Sequence, residues 1–485
     1  MQNQTEYLEA VFTRLLHYLK ETEHGQVPVV EFQDSENLQS RLDLAIVEDG
    51  LEDHYLLQYV DDYLRYSVRT GHKKFFNQLF AGFSAHAFAG EMLAAVTNTS
   101  MYTYEVAPVA TLIEKTIIRK FLDMVGFTTG SGTLTTGGSN ANLTAMLCAR
   151  NRAFPNSKEN GVPPGLLIGY VSAQAHYSFQ RAADLIGIGS AQLRAIPCDK
   201  NGHMVVAELA REIEHTIKLG KQPFFVAATA GTTVLGAFDP IQEIGCIARQ
   251  HGLWFHIDGA FGGSALLSPT HRALLAGSAE ADSFTWDAHK MLGAGLMCSA
   301  ILLRNPTDLL DACAVGGTEY LYHDESDDFA EKYPDLGVTS LQCGRRVDAL
   351  KLWLLWKHYG DTGFSKRIDQ IFALAQYAEK IVRDHPELQL MAPVQSVNVC
   401  FRYVPANDDI DLNRLNISIR EKLRKDGKSF VNYAYLDGAV VIRLVIVNFA
   451  LCAADIDSFF QEIISTGHAC SAYTAPRDHA TASLV

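Results

Sequence analysis

The stretch Asp282-Ser-Phe-Thr-Trp-Asp-Ala-His-Lys-Met291 reads as a buried strand that ends by delivering His289 and Lys290 side by side into a turn. Gly293-Ala-Gly295 follows directly, as a tight connection requires. A lysine straight after an apolar strand is out of place on a surface. It is in place as an amine held in a pocket, ready to act as a nucleophile. Two upstream stretches have the same character. His256-Ile-Asp258 closes an apolar strand on a carboxylate, and Thr136-Gly-Gly-Ser139 opens a helix with a glycine-rich turn.

Between about 127 and 310, short apolar runs alternate with helical periods. The predicted strands are 165–171, 191–196, 224–229, 254–257, 283–286 and 300–303. The predicted helices are 141–151, 179–185, 205–219, 240–251 and 308–314. This alternation predicts an α/β fold with a mostly parallel sheet. Ligands bind such sheets outside the carboxyl ends of the strands, and the candidate residues lie at those ends.

Residues 1–90 are predicted to be mainly helical. Leu8, Val11, Phe12, Leu15, Leu16 and Leu19 share one helical face, which must pack on the partner subunit or on its own domain. Residues 97–105 read as a loop, and a helix is predicted from Pro108 to Val125, stopped by Gly126. Residues 316–341, rich in charge, tyrosine and glycine, read as a lid or binding loop. A helix over 347–359 and a boundary at 360–363 come next. A small α+β domain completes the chain, with helices 365–385 and 453–464, strands 397–403, 430–435 and 440–447, and a frayed tail after Gly467. The predicted domains are therefore an N-terminal helical segment over 1–90, a large domain over 91–360 and a small one over 361–485.

A chain of 485 residues, about half of them apolar, needs more than one core. Its net charge of −14 disfavours nucleic acid and anionic membranes as partners. No run of about twenty apolar residues predicts a spanning helix, and the N-terminus carries no signal-peptide pattern. Nine scattered cysteines without a Cys-x-x-Cys pair predict reduced thiols in a cytoplasmic protein and no cysteine-bound metal.

The strand-end residues together suit one cofactor. Pyridoxal 5′-phosphate needs a lysine, a carboxylate for its ring nitrogen, a glycine-rich helix N-terminus for its phosphate and flat or small groups against its ring. Lys290, Asp258, Thr136-Gly-Gly-Ser139, His176 and the small pair Gly259-Ala260 supply these, with Thr232 and Thr233 in reach of the ring hydroxyl or the phosphate. Each residue alone also has a bland structural explanation; their order along successive strands carries the reading. Farther upstream, the polar pair Asn77-Gln78 sits among Phe75, Phe76 and Phe80. Such an amide is either satisfied by backbone or waits for a ligand carboxylate.

With these residues in view, the chain resembles the group II pyridoxal phosphate-dependent amino acid decarboxylases, in the subgroup that acts on cysteine sulfinate, glutamate and aspartate. The resemblance covers nearly the whole chain. It is carried by Phe75-Phe-Asn-Gln-Leu-Phe80, Asn98-Thr-Ser-Met-Tyr-Thr-Tyr-Glu105, Ala230-Gly-Thr-Thr-Val-Leu-Gly-Ala-Phe-Asp-Pro240, Cys343-Gly-Arg-Arg-Val-Asp348 and Val397-Asn-Val-Cys-Phe401. It implies fold type I, the aspartate-aminotransferase type, with a seven-stranded sheet covered by helices on both faces. It also implies a homodimer with shared active sites. Lys290 matches the lysine of Schiff-base exchange, Asp258 the ring-nitrogen partner, His176 the stacking histidine and Ala260 the small residue on the opposite face. Gly138, Ser139 and His289 match phosphate contacts, Asn140 joins the cofactor-binding set, and Thr233 matches the threonine near the ring oxygen. Gln78 matches the reader of the substrate's distal acid, and Arg443 the grip on its α-carboxylate.

Three positions depart from the family pattern. Phe261 follows Ala260 where tryptophan is usual. Asp287-Ala288 replaces the usual Asn-Pro before His289, and a carboxylate there is expected to point away from the phosphate. The loop tyrosine is replaced by Phe329 or Tyr333. The bulk of Phe80 resembles the sulfinate and aspartate enzymes. The implied activity is α-decarboxylation of L-cysteine sulfinate to hypotaurine, or of L-aspartate to β-alanine. Glutamate or 2,4-diaminobutyrate are the alternative substrates, and an aminotransferase or a silent paralogue are the rival classes.

Overall fold

Seven strands build the sheet of the larger of two units, Phe83–Phe372. They are β1 (Ser131–Thr135), β2 (Leu167–Ser172), β3 (Leu193–Ile196), β4 (Gln222–Thr229), β5 (Trp254–Asp258), β6 (Ser283–Asp287) and β7 (Ser299–Leu303). The computed structural model describes residues 4–316, 335–406 and 410–474. The strand order is β1-β7-β6-β5-β4-β2-β3. β2 through β6 pair in parallel, and β7 runs antiparallel to both β6 and β1. β1 therefore points the same way as the parallel strands.

The central strands β5 and β6 are buried along their whole length, as strands covered on both faces must be. The edge strand β1 is Ser-Gly-Thr-Leu-Thr. It lacks an apolar run, and the sequence pattern does not reveal it. Helix Pro108–Val125 has proline in its first turn and ends on Gly126 at φ +96°, both preferred placements.

One buried ion pair fastens that helix to β1. Glu114, 1 % exposed, accepts two hydrogen bonds from Arg345 at 2.7 and 2.6 Å and one from the Leu134 N–H at 3.1 Å. Removing one partner strands a buried charge, which costs more than the pair contributes. Arg345→Ala is therefore expected to lower unfolding free energy by about 3–5 kcal/mol, read by urea denaturation. A loss below about 1 kcal/mol would contradict this account of the pair.

The other unit comprises Met1–Gly82 and Ala373–Val485. Its sheet is antiparallel, in the order β10-β11-β9-β8. The strands are β8 (Leu388–Leu390), β9 (Asn398–Tyr403), β10 (Asn432–Leu436) and β11 (Ala439–Val445). The N-terminal segment belongs with this sheet. Phe75 bridges Phe430, Phe76 packs edge-on against Phe459 at 4.9 Å, and the Val29 N–H donates to the Gly427 carbonyl at 2.9 Å. Helix Gln4–His24 is tied to helix Asp53–Tyr66 by Arg14–Asp61 at 2.8 Å.

Two differences from expectation have physical causes. Helix Leu412–Lys425 was unpredicted because polar residues dominate it; Asp411 caps it, accepting from the Asn413 and Arg414 N–H groups. The break expected at 360–363 is present: the helical run Ala349–Asp384 is interrupted at Gly360, whose φ of +60° suits glycine. The last helix continues to Thr474 rather than fraying after Gly467. A Cβ at Gly467 would lie 2.7 Å from the Tyr403 ring, so the glycine lets the helix pass close and stay packed.

Candidate active site

β1, β2, β4, β5 and β6 all end on one edge of the sheet, and the turns after them carry the candidate residues of the larger unit. After β1, Gly137 takes φ +113° and Gly138 starts helix Gly138–Ala153. Free backbone N–H groups of such a first turn favour an anion. Ser139 is exposed and Asn140 half-buried on that turn. A Cβ at Gly138 would sit 2.8 and 2.9 Å from the two carboxylate oxygens of Asp287, so only glycine fits against the end of β6.

Asp287 therefore does not point away from the glycine turn, as the sequence had led us to expect. It is 2 % exposed, with Oδ2 3.1 Å from Lys290 Nζ and 3.8 Å from His289 Nε2. Among the described residues its Oδ1 has no hydrogen-bond partner. The i, i+3 spacing around the turn places the carboxylate and the amine together. His289 is buried, its Nδ1 3.0 Å from the Cys298 carbonyl. Burial lowers its pKa, with the Asp287 charge opposing.

His176 follows β2, and its Nδ1 accepts the Ser178 N–H at 3.2 Å. Burial lowers its pKa; the charges of Asp258 and Asp287 raise it and that of Lys290 lowers it. The groups at the ends of β2, β5 and β6 thus share one electrostatic neighbourhood. Thr233 lies half-buried in the turn after β4.

Asp258 ends β5, 5 % exposed. Its Oδ1 accepts the Ala260 N–H at 3.1 Å, and its Oδ2 accepts Asn142 Nδ2 at 2.9 Å. No ion pair with lysine or arginine holds it among the described residues. A buried carboxylate with only neutral donors is costly unless a cation joins it. A protonated pyridine nitrogen is such a cation, so the residues present fit pyridoxal phosphate.

Sequence reasoning overlooked Asn142, 1 % exposed, and His256, fully buried, which joins it by Nε2 at 3.0 Å. The one available signal was a polar residue between Ala141 and Leu143 on the helix face turned inward. Burial pushes the His256 pKa down to about 3. The unfolded chain, with an ordinary value near 6.5, takes up that proton. Stability is therefore expected to fall as pH drops from about 6.5 toward 3, by up to about 1.4 kcal/mol per pH unit from this group. Urea unfolding at pH 7.5, 5.5 and 4.5 checks it: His256→Gln should show a flatter decline, and an equally steep one would count against the assignment.

In the smaller unit, Arg443 on β11 is 7 % exposed and donates from Nη2 to the Asn77 carbonyl at 2.8 Å. Of the pair Asn77-Gln78, Asn77 is the buried amide, and among the described residues its Oδ1 has no hydrogen-bond partner; Gln78 is exposed. Phe80 is half-buried, its ring 6.2 Å from that of Phe75. The loop candidates Phe329 and Tyr333 lie outside the described residues.

Residues 35–404 match the pyridoxal-dependent decarboxylase conserved domain. The chain belongs to this family. It is 40 % identical to human cysteine sulfinic acid decarboxylase over 90 % of this chain and 91 % of that protein. Against mouse acidic amino acid decarboxylase GADL1 the identity is 38 %, over 90 % and 82 %. Against Drosophila melanogaster glutamate decarboxylase it is 38 %, over 95 % and 93 %. The crystal structure of mouse CSAD superposes with a TM-score of 0.91 at 38 % identity, covering 96 % of this chain and 98 % of that one. That of Oryza sativa TDC, which holds PLP and tryptamine, gives 0.88 at 26 %, over 96 % and 97 %. The fold is that of the fold type I decarboxylases. The protein is a pyridoxal phosphate-dependent amino acid decarboxylase. Among the described residues no helix is long and apolar enough to cross a membrane.

Proposed function

We propose that this decarboxylase removes the α-carboxylate of a small acidic amino acid, L-cysteine sulfinate or L-aspartate, releasing hypotaurine or β-alanine. The observation that carries the chemistry is the buried Asp258 carboxylate, held by neutral donors alone at the strand edge that also bears Lys290. When bound, pyridoxal phosphate supplies the electron sink for cleavage of the bond to the carboxylate. Lys290 would hold the cofactor through its amine. Asp258 keeps a proton on the ring nitrogen. His176 and Ala260 flank the ring, and a residue of the 316–341 loop or His176 returns a proton to the substrate's α-carbon. Gly138, Ser139, Asn140 and His289 hold the phosphate, and Thr233 the ring oxygen.

In the substrate set, Arg443 grips the α-carboxylate and Gln78 reads the distal acid, while Phe80 limits its reach. The relatives named for cysteine sulfinic acid and acidic amino acids support this class. Glutamate is the second reading, favoured by the Drosophila relative. Self-association as a homodimer is supported by Leu8, Phe12 and Leu16, exposed by 51, 42 and 57 % along one helix. Nine free cysteines support a reducing, cytoplasmic setting.

The test is CO2 release by the cofactor-loaded enzyme from a panel of acidic, basic and aromatic amino acids. kcat/KM for cysteine sulfinate or aspartate should exceed that for glutamate by about 10–100-fold, the worth of one methylene. Phe80→Ser should move the ratio toward glutamate by about 10-fold. CO2 from aromatic substrates alone would overturn the acidic-substrate reading, and a wild-type preference for glutamate would overturn the role of Phe80.

A further inference from the structure

Asp258 is the acceptor at one end of a chain of buried neutral groups in the larger unit. Trp254 Nε1 lies 2.7 Å from Ser283 Oγ, which lies 2.8 Å from His256 Nδ1. His256 Nε2 lies 3.0 Å from Asn142 Oδ1, and Asn142 Nδ2 lies 2.9 Å from Asp258 Oδ2. The chemistry of the two ends fixes the direction of every hydrogen. An indole N–H only donates, and a carboxylate only accepts. Asn142 must therefore turn its NH2 to Asp258; the flipped amide would set two acceptor oxygens against each other. Its Oδ1 then faces His256, which must carry its proton on Nε2 and accept at Nδ1 from the Ser283 hydroxyl. That hydroxyl accepts in turn from Trp254.

The rest of the Asn142 amide is occupied as well. Thr285 Oγ1 donates to Oδ1 at 2.8 Å, and the second N–H of Nδ2 is 3.0 Å from Ser178 Oγ. Asn142, His256, Ser283 and Thr285 are each at most 1 % exposed. Both polar atoms of the amide are thus occupied by buried protein partners, which fixes its orientation.

We propose that Asn142 is the positioning residue for Asp258: its oriented amide holds the carboxylate in one rotamer without neutralising it, and so reserves that charge for the ring nitrogen of pyridoxal phosphate. An arginine or lysine in its place would bind the same oxygen but would use up the charge. A purely apolar neighbour would leave the oxygen without a donor. Only a neutral donor of fixed polarity does both tasks, and the Trp254–Ser283–His256 chain fixes that polarity. The burial that keeps His256 uncharged, with a pKa near 3, keeps a competing cation out of the chain.

This inference rests on the reading of Asp258 as the ring-nitrogen partner, and the experiment separates the two. Holoenzyme is reconstituted with pyridoxal phosphate labelled with 15N in the ring, and the nitrogen chemical shift reports its protonation at pH 7.5. The wild type is expected to show a protonated ring nitrogen. Asn142→Leu, close in size but without a donor, should shift it toward the unprotonated position and lower kcat by about 10²-fold, with KM changed less than about 3-fold. His256→Leu should move the shift in the same direction by less. His256→Gln, whose Nε2 can still donate to Asn142, should restore it. A structural role alone would lower Tm in these variants and leave the nitrogen shift where it was.

A loaded Asn142→Leu enzyme with a fully protonated ring nitrogen would overturn the proposal, provided Asp258→Asn does shift it. If Asp258→Asn leaves the nitrogen protonated too, the reading of Asp258 itself is wrong. Should Asn142→Leu not fold, an unshifted nitrogen in His256→Leu overturns the proposal in its place.

Discussion

Lys290→Ala is expected to lose the visible absorption band of lysine-bound pyridoxal phosphate and to lower kcat by on the order of 10³-fold or more. No neighbour can take over. Among the described residues His289 is turned to Cys298 and Asp287, and no second lysine pairs with Asp287. The substitution has a second consequence. Asp287, 2 % exposed, loses the ammonium 3.1 Å from its Oδ2 and keeps one oxygen that has no partner among the described residues. Apo Lys290→Ala should therefore melt below the apo wild type, and adding Asp287→Asn should recover most of that loss. Retention of the visible band, or of more than a tenth of the wild-type kcat, would contradict the role of Lys290. An unchanged melting temperature would contradict the role of the ion pair.

Asp258→Asn should lower kcat by about 10²–10³-fold with a much smaller effect on KM. The amide is close in size to the carboxylate, and its single oxygen can still accept from one of the two donors, Asn142 or the Ala260 N–H, so the fold is expected to persist with a modest loss of stability. What it lacks is the negative charge that holds a proton on the ring nitrogen. The rate loss therefore belongs to the chemical step, and single-turnover kinetics should show it there. Asp258→Ala adds an empty space beside Asn142 and should be both slower and less stable. A kcat within about 3-fold of wild type in Asp258→Asn would remove the carboxylate from the mechanism.

How much of this was legible in the chain differed by physical origin. The parallel core could be read because β2, β4 and β5 are mainly apolar runs closed by polar residues, with Asp258 at one of those closures, while β6 alternates Phe284 and Trp286 with polar residues and leads into the turn that carries Lys290. β1 and the helix Leu412–Lys425 could not, since an edge strand and a capped surface helix carry little apolar signal. Asn142 and His256 escaped because their importance is relational. Each is an ordinary polar residue until strand register sets His256 against Ser283 and the helix brings Asn142 over β5. Asp287 was visible as a departure from the family pattern. Its direction was not, because the tight turn and the missing Cβ of Gly138 decide it.

The central claim is α-decarboxylation, as opposed to amino-group transfer or silent binding. Its most direct test is the fate of C1 in L-aspartate and L-cysteine sulfinate labelled there with 13C, incubated with the loaded enzyme and followed by mass spectrometry. The account predicts 13CO2 and an equal amount of unlabelled β-alanine or hypotaurine, with the amino nitrogen retained. Label kept in a keto acid, or no turnover of any acidic amino acid by an enzyme that shows its cofactor band, would contradict it.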